Sequence, residues 1–322
     1  MPPVSPRLVY SPGYNFRAFG LEKLHPFDAR KYQRVWQRLQ SEPGLRLRER
    51  TITPQRGLNQ RELLGVHSAG YLKSLEKSVA VAKAVEVPQL AVLPHFVLQT
   101  CLLRPMLLAS MGTAVAARIA LKTGAAINLG GGYHHASADR GEGFSLYADV
   151  AIAVQSLRQE GVLDPERAKV AVIDLDAHQG NGNGRTLGPD RQVAIFDMYN
   201  GGIYPGDAYA KQFITRDLPL RSGIGDTAYL DILRANLPDF LRQQAPVALA
   251  FYNAGTDVHA SDLLGGMKLS EAGVLARDQF VFQTLTEAGI PWVMVLSGGY
   301  SPISYQLVAS SVISALRTWP DL

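Results

Sequence analysis

The feature that most constrains this chain is a short apolar run that recurs five times, rich in Val, Ile, Leu or Phe and without polar alternation. Unbroken runs of this kind are typical of strands buried on both faces of a parallel sheet. Segments of helical periodicity lie between them, as in residues 229–241 and in residues 272–285, which Ser270 and Glu271 precede as a helix start. The pattern predicts an α/β fold with a mainly parallel central sheet flanked by helices. The runs are residues 125–129, 169–173, 192–196, 247–252 and 292–296.

The composition supports a single large domain and excludes several classes of protein. Of the 322 residues, 47% are hydrophobic and 19% are charged, which rules out a disordered or fibrous chain. Because no repeat, low-complexity tract or linker divides the sequence, we expect one domain over residues 1–322. The net charge is only +4 and no basic block is present, so we expect no nucleic-acid partner.

The sequence favours a cytoplasmic location. Its single cysteine, Cys101, excludes an internal disulfide and fits a reducing compartment. The first ten residues hold three prolines and no apolar stretch of signal-peptide length. The longest uncharged stretch, residues 87–103, is interrupted by prolines and falls short of a bilayer, so we expect no membrane span. The oligomeric state cannot be inferred from these features.

Acidic residues and a histidine follow two of the apolar runs, at the sheet edge where ligands of α/β proteins bind. Asp174, Asp176 and His178 alternate after the second run, and the period of two of an extended chain projects them to one side. A solvated loop with a capping aspartate is the alternative, and it explains one carboxylate only. Asp257 follows the fourth run and alone would more often be a turn residue. With Asp176 and His178 it makes a set that leaves a fourth zinc position open, as catalytic zinc sites do.

Two further run ends carry groups that transfer protons or donate hydrogen bonds. His134 and His135 follow three glycines after the first run, and imidazoles titrate near neutral pH. Alone, this motif is equally consistent with a turn that carries partly exposed histidines. It does not match a dinucleotide-binding fingerprint, because Tyr133 and the two histidines occupy the later positions. Tyr300, on a Gly-Gly turn after the fifth run, can donate to developing negative charge, although by itself it would be an ordinary packing residue.

Together and in this order, these motifs resemble the zinc-dependent histone deacetylases, and specifically their class IV branch. The resemblance runs from about Val9 to beyond Tyr300 and implies the arginase-deacetylase fold. It is carried by FGLEKLHPFDA (19–29), GGGYHHASADRGEGF (130–144), DLDAHQGNG (174–182), IYPGD (203–207), YNAGTD (252–257), LGGMKLS (264–270) and SGGY (297–300).

The resemblance implies a role for each matching residue. His135 falls at the position of the general base, and His134 at that of an electrostatic partner that Asp174 orients. Tyr300 matches the residue that polarises the scissile carbonyl. The positions of the family's zinc ligands hold Asp176, His178 and Asp257. Five further residues fall at positions that contact substrate in the family. Gly143 and Phe144 match the lining of the acyl channel, and Tyr204 matches the aromatic residue that faces it. Gly298 and Gly299 match the positions beside the tyrosine.

Two departures from the wider family pattern bear on activity. Asn181 stands where many relatives carry an aspartate behind the second histidine, and the asparagine is one of the features in which the chain resembles class IV members. An amide orients His135 but does not favour its imidazolium as an anion would, so we expect weaker activity on simple acetyl substrates. Ile195 aligns with a serine of the potassium site next to Asp174, which removes one side-chain ligand. Backbone carbonyls remain, and potassium stays an open alternative.

The implied function is hydrolysis of the amide of an acylated lysine side chain, in a protein or peptide, with zinc as cofactor. The class IV resemblance extends the acyl group to long fatty chains. An acetylpolyamine amidohydrolase is the alternative enzyme, but residues 77–88 offer only Glu86 to attract a small cation. A non-catalytic acyl-lysine binding protein would usually have lost a ligand, a histidine or the tyrosine. An arginase-like manganese enzyme would need further ligands where Gln179 and Asn181 stand, whereas ferrous iron suits the same three ligands.

Overall fold

The computed structural model describes residues 5–16 and 27–320, so most of the segment 19–29 lies outside the described residues. Within them the chain forms one eight-stranded, entirely parallel sheet. Its strands are β1 (Arg7–Val9), β2 (Thr51–Ile52), β3 (Ala125–Asn128), β4 (Lys169–Asp174), β5 (Val193–Asn200), β6 (Arg216–Leu220), β7 (Val247–Asn253) and β8 (Trp292–Val295). The strand order is β2-β1-β3-β8-β7-β4-β5-β6. The predicted α/β fold with a parallel sheet is confirmed.

The five predicted strands are the five central strands of this sheet, β3, β8, β7, β4 and β5. Almost every residue of these strands is buried, as their unbroken apolar runs indicate. β5 extends to Asn200, beyond the predicted end at residue 196, because residues 196–200 pair with β6. The three strands that the pattern missed, β1, β2 and β6, lie at the two sides of the sheet. The first two are three and two residues long, and β6 contains Pro219.

Helices connect the strands, as parallel pairing requires. They are α1 (Lys31–Gln40), α2 (Leu47–Arg50), α3 (Gln60–Leu64), α4 (Ala69–Ser74), α5 (Ser78–Ala84), α6 (His95–Leu98), α7 (Arg104–Thr123), α8 (Asp149–Gln159), α9 (Asn181–Leu187), α10 (Ala208–Lys211), α11 (Asp226–Gln244), α12 (Glu271–Glu287) and α13 (Ser304–Thr318). The predicted helices 229–241 and 272–285 lie within α11 and α12. Ser270 caps α12 as expected, since its Oγ accepts a 3.0 Å hydrogen bond from the Gly273 amide.

The helical run from α6 to α7, His95–Thr123, is long and apolar enough to cross a membrane by length and composition alone. Inside the protein, however, 67% of its most apolar window is buried. α7 packs against α8, β1 and β3. Ala109, Ala116, Ala117 and Ala120 are fully buried on it, and small side chains of this kind let a helix approach a sheet closely.

The position of the site follows from strand order. β3, β8, β7 and β4 are neighbours, and because they are parallel their carboxyl ends meet at one edge. The loops after these four strands carry all the motifs that the sequence singled out at run ends. Residues that are more than 160 positions apart in the chain therefore come into contact there, as the Ser297 Oγ does when it donates to the Gly132 carbonyl at 3.1 Å.

Candidate active site

Three potential metal ligands converge between β4 and its neighbour β7. Asp176 and His178 follow β4, Asp257 follows β7, and one donor atom of each lies within 4.8 Å of the others. His178 Nδ1 lies 2.9 Å from Asp257 Oδ2 and 3.1 Å from Asp176 Oδ1. All three side chains are buried. Two carboxylates and one imidazole aimed at a single point suit zinc and leave coordination positions open, so the donor set fits the metal that the sequence predicts.

Backbone and hydroxyl donors hold the outer oxygen of each carboxylate. Asp176 Oδ2 accepts from Ser297 Oγ at 2.8 Å and from the Gly298 amide at 2.9 Å. Asp257 Oδ1 accepts from the Ala177 amide at 2.9 Å. The other oxygen of each group is left facing His178. Such outer contacts orient metal ligands, so the trio is fixed by the protein itself.

The loop after β8 approaches the two carboxylates closely, and position 298 must be glycine for it to do so. A Cβ on Gly298 would lie 2.6 Å from both Asp176 Oδ2 and Asp257 Oδ2, closer than real Cβ contacts allow. The loop after β8 can therefore reach the two carboxylates only because Gly298 has no side chain. Gly299 packs differently, because a Cβ there would lie 2.1 Å from Thr256 Oγ1, away from the two carboxylates. Gly298 lines the cavity described below, whereas Gly299 supports the loop from behind.

The trio carries protons that a divalent cation would displace. Burial and the nearby charge of Asp176 raise the pKa of Asp257 to about 7. Burial tends to lower the pKa of His178, but its hydrogen bonds to Asp176 and Asp257 outweigh this and raise the pKa to about 11. Because carboxylates and imidazoles bind metal in their deprotonated forms, cation binding and proton release are coupled here.

The two adjacent histidines have opposite electrostatic environments. His134 Nδ1 lies 2.9 Å from Asp174 Oδ2, and His135 Nδ1 lies 2.7 Å from Asn181 Oδ1. Burial tends to lower the pKa of His134, but Asp174 and Asp176 outweigh it and raise that pKa to about 9. Burial, with the neighbouring His134 and His178, holds the pKa of His135 well below its usual value. In the metal-free protein these surroundings favour a protonated His134 and a neutral His135, a state in which His135 can accept a proton.

A cavity lies beside these histidines and is closed on one side by Tyr300. The Tyr300 ring stands at 90° to the His178 ring, with 6.1 Å between centroids. Burial, with the charges of Asp176 and Asp257, raises the pKa of Tyr300 well above its usual value, so its hydroxyl keeps its proton. The backbone amide of Tyr300 donates to Asp262 Oδ2 at 2.7 Å, which anchors the loop. The cavity lining includes Phe27, Tyr32, His134, His135, Phe144 and Tyr300.

Three of the five residues that the resemblance assigns to substrate, Gly143, Phe144 and Tyr204, lie near His135. Gly143 and Phe144 both have left-handed backbone, with φ of +54° and +60°. A Cβ on Gly143 would lie 2.3 Å from His135 Cδ2, so this turn packs directly on the imidazole. Phe144 stacks on Phe27 with 5.1 Å between ring centroids. Tyr204 lies 5.3 Å from the His135 ring and is 44% exposed, as a residue at the mouth of a channel would be.

The strand register corrects the expectation about Ile195. β4 pairs with β5 so that Ile195 lies opposite Val172, while Asp197 lies opposite Asp174. A carboxylate, not an isoleucine, is thus the side chain beside Asp174. Asp197 is fully buried, and its Oδ1 has no hydrogen-bond partner among the described residues. Burial and the charge of Asp174 raise the pKa of Asp197 well above its usual value, so this position fits a bound cation.

Sequence reasoning missed two residues that support the site. Lys31 is fully buried, although its place at the start of α1 looks like an ordinary solvated one. Glu142 accepts a 2.7 Å hydrogen bond from Asn181 Nδ2, on the far side of the amide from His135. Neither residue has a metal-ligand spacing or follows an apolar run, and although Glu142 lies within the segment 130–144, nothing in the sequence pairs it with Asn181.

The comparisons with known proteins agree with this geometry. Residues 25–316 match the family model described as histone deacetylase domain. The chain is 41% identical to Histone deacetylase 2 of Arabidopsis thaliana over 310 residues, which cover 96% of this chain and 78% of that protein. It is 32% identical to a probable deacetylase of Methanothermobacter thermautotrophicus over 206 residues, 61% of this chain and 59% of that protein.

Among solved structures, an HDAC homolog from Aquifex aeolicus superimposes with a TM-score of 0.73. The superposition covers 97% of this chain and 84% of the other at 20% sequence identity, and it shows a shared arginase-deacetylase fold. The family model extends over most of the chain, and the match to the Arabidopsis protein covers nearly all of it. The chain therefore belongs to the histone deacetylase domain family.

Proposed function

We propose that this protein is a zinc-dependent amidohydrolase of the class IV branch that removes acyl groups from lysine side chains of proteins or peptides. The observation that carries the proposal is the convergence of the metal-ligand trio, a neutral His135 and a protonated Tyr300 on one cavity. A protein that only bound acyl-lysine would need neither a proton acceptor nor an oxyanion donor there.

The residues of the site divide the chemistry between them. Zinc held by Asp176, His178 and Asp257 would polarise the substrate carbonyl and lower the pKa of a water molecule. His135 accepts the proton of the attacking water and then delivers it to the leaving lysine amine. Tyr300 donates its hydroxyl hydrogen to the oxygen on which negative charge develops. These steps need His135 to start neutral and Tyr300 to stay protonated, as their surroundings dictate.

The acyl group that we propose is a long fatty chain rather than acetyl alone. Phe144, Phe27 and Phe16 form an aromatic cluster beside the cavity, with ring centroids 5.1 to 6.1 Å apart. Aromatic surface of this kind favours an apolar chain. Asn181 supports the same preference, because a neutral amide behind the base lowers the intrinsic rate that a small acetyl substrate depends on.

Acetylpolyamine hydrolysis is the second candidate, and the charge around Tyr204 favours it. Burial raises the pKa of Tyr204, and Glu142, Glu86 and Asp207 raise it further, so all three carboxylates act on this residue at the channel mouth. Negative charge there would attract a small polycation as well as a lysine-rich peptide.

A panel of substrates on protein of measured zinc content tests the proposal. We expect hydrolysis of acetyl-, octanoyl- and myristoyl-lysine peptides, with the highest kcat/KM for the longer chains, and slow turnover of N-acetylspermidine. Equal or faster hydrolysis of the acetyl peptide would contradict the long-chain preference. Faster turnover of acetylspermidine would favour the polyamine alternative. If zinc-loaded protein binds acyl peptides but hydrolyses none, it is a binding protein and the proposal is wrong.

We further propose that a monovalent cation such as potassium binds beside Asp174. The support is the Asp174–Asp197 pairing, which places two buried carboxylates opposite each other, one with an oxygen that lacks a partner among the described residues. Buried charges of like sign are costly unless a cation or a proton offsets them.

A further inference from the structure

A chain of three polar side chains extends from the cavity to the surface behind His135. His135 Nδ1 lies 2.7 Å from Asn181 Oδ1, and Asn181 Nδ2 lies 2.7 Å from Glu142 Oε1. His135 and Asn181 are buried, whereas Glu142 is half-buried. The Asn181 amide that contacts His135 is therefore itself hydrogen-bonded to a carboxylate, that of Glu142, on the side nearer the surface.

The carboxylate determines which way the amide points. A carboxylate only accepts hydrogen bonds, so the Asn181 NH₂ group must face Glu142 and the Asn181 carbonyl must face His135. A carbonyl only accepts, so His135 Nδ1 must carry the hydrogen of the neutral ring. His135 Nε2 then keeps its lone pair, which is the atom that a general base needs. An amide without this partner can turn by 180°, and its NH₂ group would then place the hydrogen on Nε2.

The position of Glu142 is fixed by the turn that also packs on the imidazole. Glu142 and Ser145 exchange backbone hydrogen bonds of 3.1 and 2.9 Å, which close a tight turn over Gly143 and Phe144. The Phe144 amide donates to the Ala84 carbonyl at 3.2 Å, which ties the turn to the end of α5. The same turn thus positions both Phe144, which lines the cavity, and Glu142, which accepts the hydrogen bond from Asn181.

Asp207 is the second carboxylate that interacts with the Asn181 amide, and its oxygens also have three other partners. Its Oδ1 accepts from the Tyr209 and Ala210 amides at 3.0 Å each, and its Oδ2 accepts from Arg185 Nε at 2.5 Å. Burial tends to raise the pKa of Asp207, but the Ala210 amide, Arg185 and Asn181 leave it below its usual value. Asn181 thus acts on Asp207 as well, and Glu142 Oε1, at 2.7 Å, is the acceptor that lies at close hydrogen-bond distance from Asn181 Nδ2.

We propose that Glu142 is a positioning residue of the active site, which fixes the Asn181 amide and through it the tautomer of His135. Its negative charge, relayed through the polarised amide, also favours the imidazolium that forms when His135 takes a proton. Glu142 would thus restore part of what an aspartate at position 181 would supply. The kinetic part of this inference rests on the proposed function, whereas the tautomer does not.

The kinetic test compares Glu142→Ala and Glu142→Gln with the wild type on the best acyl-lysine peptide. We expect kcat to fall about tenfold in Glu142→Ala, the effect of losing one hydrogen bond to a charged group, with KM within twofold. Glu142→Gln still offers an acceptor oxygen and is expected to retain more activity than Glu142→Ala. Asp139→Ala is the matched control, because Asp139 lies in the same loop, is 68% exposed and has no contact with Asn181. It is expected to keep wild-type kcat.

The second readout is independent of catalysis. Long-range ¹H–¹⁵N correlation spectra of the metal-free and zinc-loaded proteins report which ring nitrogen of His135 carries the hydrogen. We expect the Nδ1–H tautomer in the wild type and in Asp139→Ala, and Nε2–H or a mixture in Glu142→Ala. The inference is overturned if Glu142→Ala keeps the wild-type tautomer, or if its kcat falls no further than that of Asp139→Ala. A wild type that hydrolyses no acyl-lysine peptide contradicts the proposed function alone, and the spectra still decide the role of Glu142.

Discussion

Lys31 Nζ donates a 2.7 Å hydrogen bond to the carbonyl oxygen of Gly298, two residues before Tyr300. It also donates to the Ser297 carbonyl at 3.1 Å, and the whole side chain is inaccessible to solvent. Burial lowers the pKa of Lys31 to about 8, although Asp257 and other nearby carboxylates counteract this effect. The first residue of α1 therefore holds the loop that carries the tyrosine.

Replacing this lysine by an apolar residue should destabilise the protein. Lys31→Met removes the ammonium donor to the Ser297 and Gly298 carbonyls and a positive charge that interacts with four carboxylates. We expect the free energy of unfolding to fall by about 2–4 kcal/mol, measured by urea denaturation. Lys122→Met, at an exposed position near the end of α7, should change it by less than about 0.5 kcal/mol. Equal effects of the two substitutions would show that the buried hydrogen bonds contribute nothing specific.

Removing the Tyr300 hydroxyl should affect turnover without affecting metal content. Tyr300→Phe keeps the ring that packs at 90° to His178 but loses the donor to the developing negative charge. We expect kcat to fall about 100-fold or more, the range for one oxyanion donor, with zinc stoichiometry unchanged. Tyr209→Phe, on an exposed tyrosine of α10, serves as the control and should be neutral. Near-normal turnover of Tyr300→Phe with zinc bound would remove the assigned role.

Zinc binding should release protons and become tighter as pH rises. In the metal-free protein His178 has a pKa raised to about 11 and Asp257 a pKa raised to about 7, so at pH 7 the first is protonated and the second half-protonated. Both groups bind metal only after losing their protons. We expect between one and two protons released per zinc near pH 7, measured by calorimetry in buffers of different ionisation enthalpy. An affinity that does not change between pH 5.5 and pH 8 would contradict this coupling.

A monovalent cation should stabilise the fold through Asp197. Asp174 and Asp197 face each other across β4 and β5, and burial with the charge of Asp174 raises the pKa of Asp197 well above its usual value. We expect potassium chloride to raise Tm relative to choline chloride at equal ionic strength, because a ligand of the native state stabilises it. Asp197→Asn should reduce this difference. Identical Tm values of the wild type in the two salts would argue against a cation at this position.

The central sheet could be predicted because its strands are buried on both faces. Each of the five runs had to be apolar throughout, and this composition is visible without any partner. The side strands β1, β2 and β6 are short or partly exposed, so their sequences need no such pattern. Pairing with a neighbour, not local preference, makes them strands.

The candidate site was predictable to the extent that its side chains stand at strand ends. Asp176, His178 and Asp257 follow runs that had to be strands, and parallel pairing brings the ends of such strands to one edge. Ile195 shows the limit of this reasoning. An alignment of motifs placed it beside Asp174, but strand register depends on pairing along the whole of β4 and β5, and this pairing places Asp197 there.

The amino-acid order by itself determined the class of fold and the identity of the groups that could bind metal and transfer protons. Only the tertiary structure decided which supporting residues hold those groups: Lys31 behind the tyrosine loop and Glu142 behind the Asn181 amide. The physical reason is distance along the chain. A strand leaves a repeating pattern in its own sequence, whereas a hydrogen bond between residues 266 positions apart, such as that from Lys31 to Ser297, leaves no pattern in either segment.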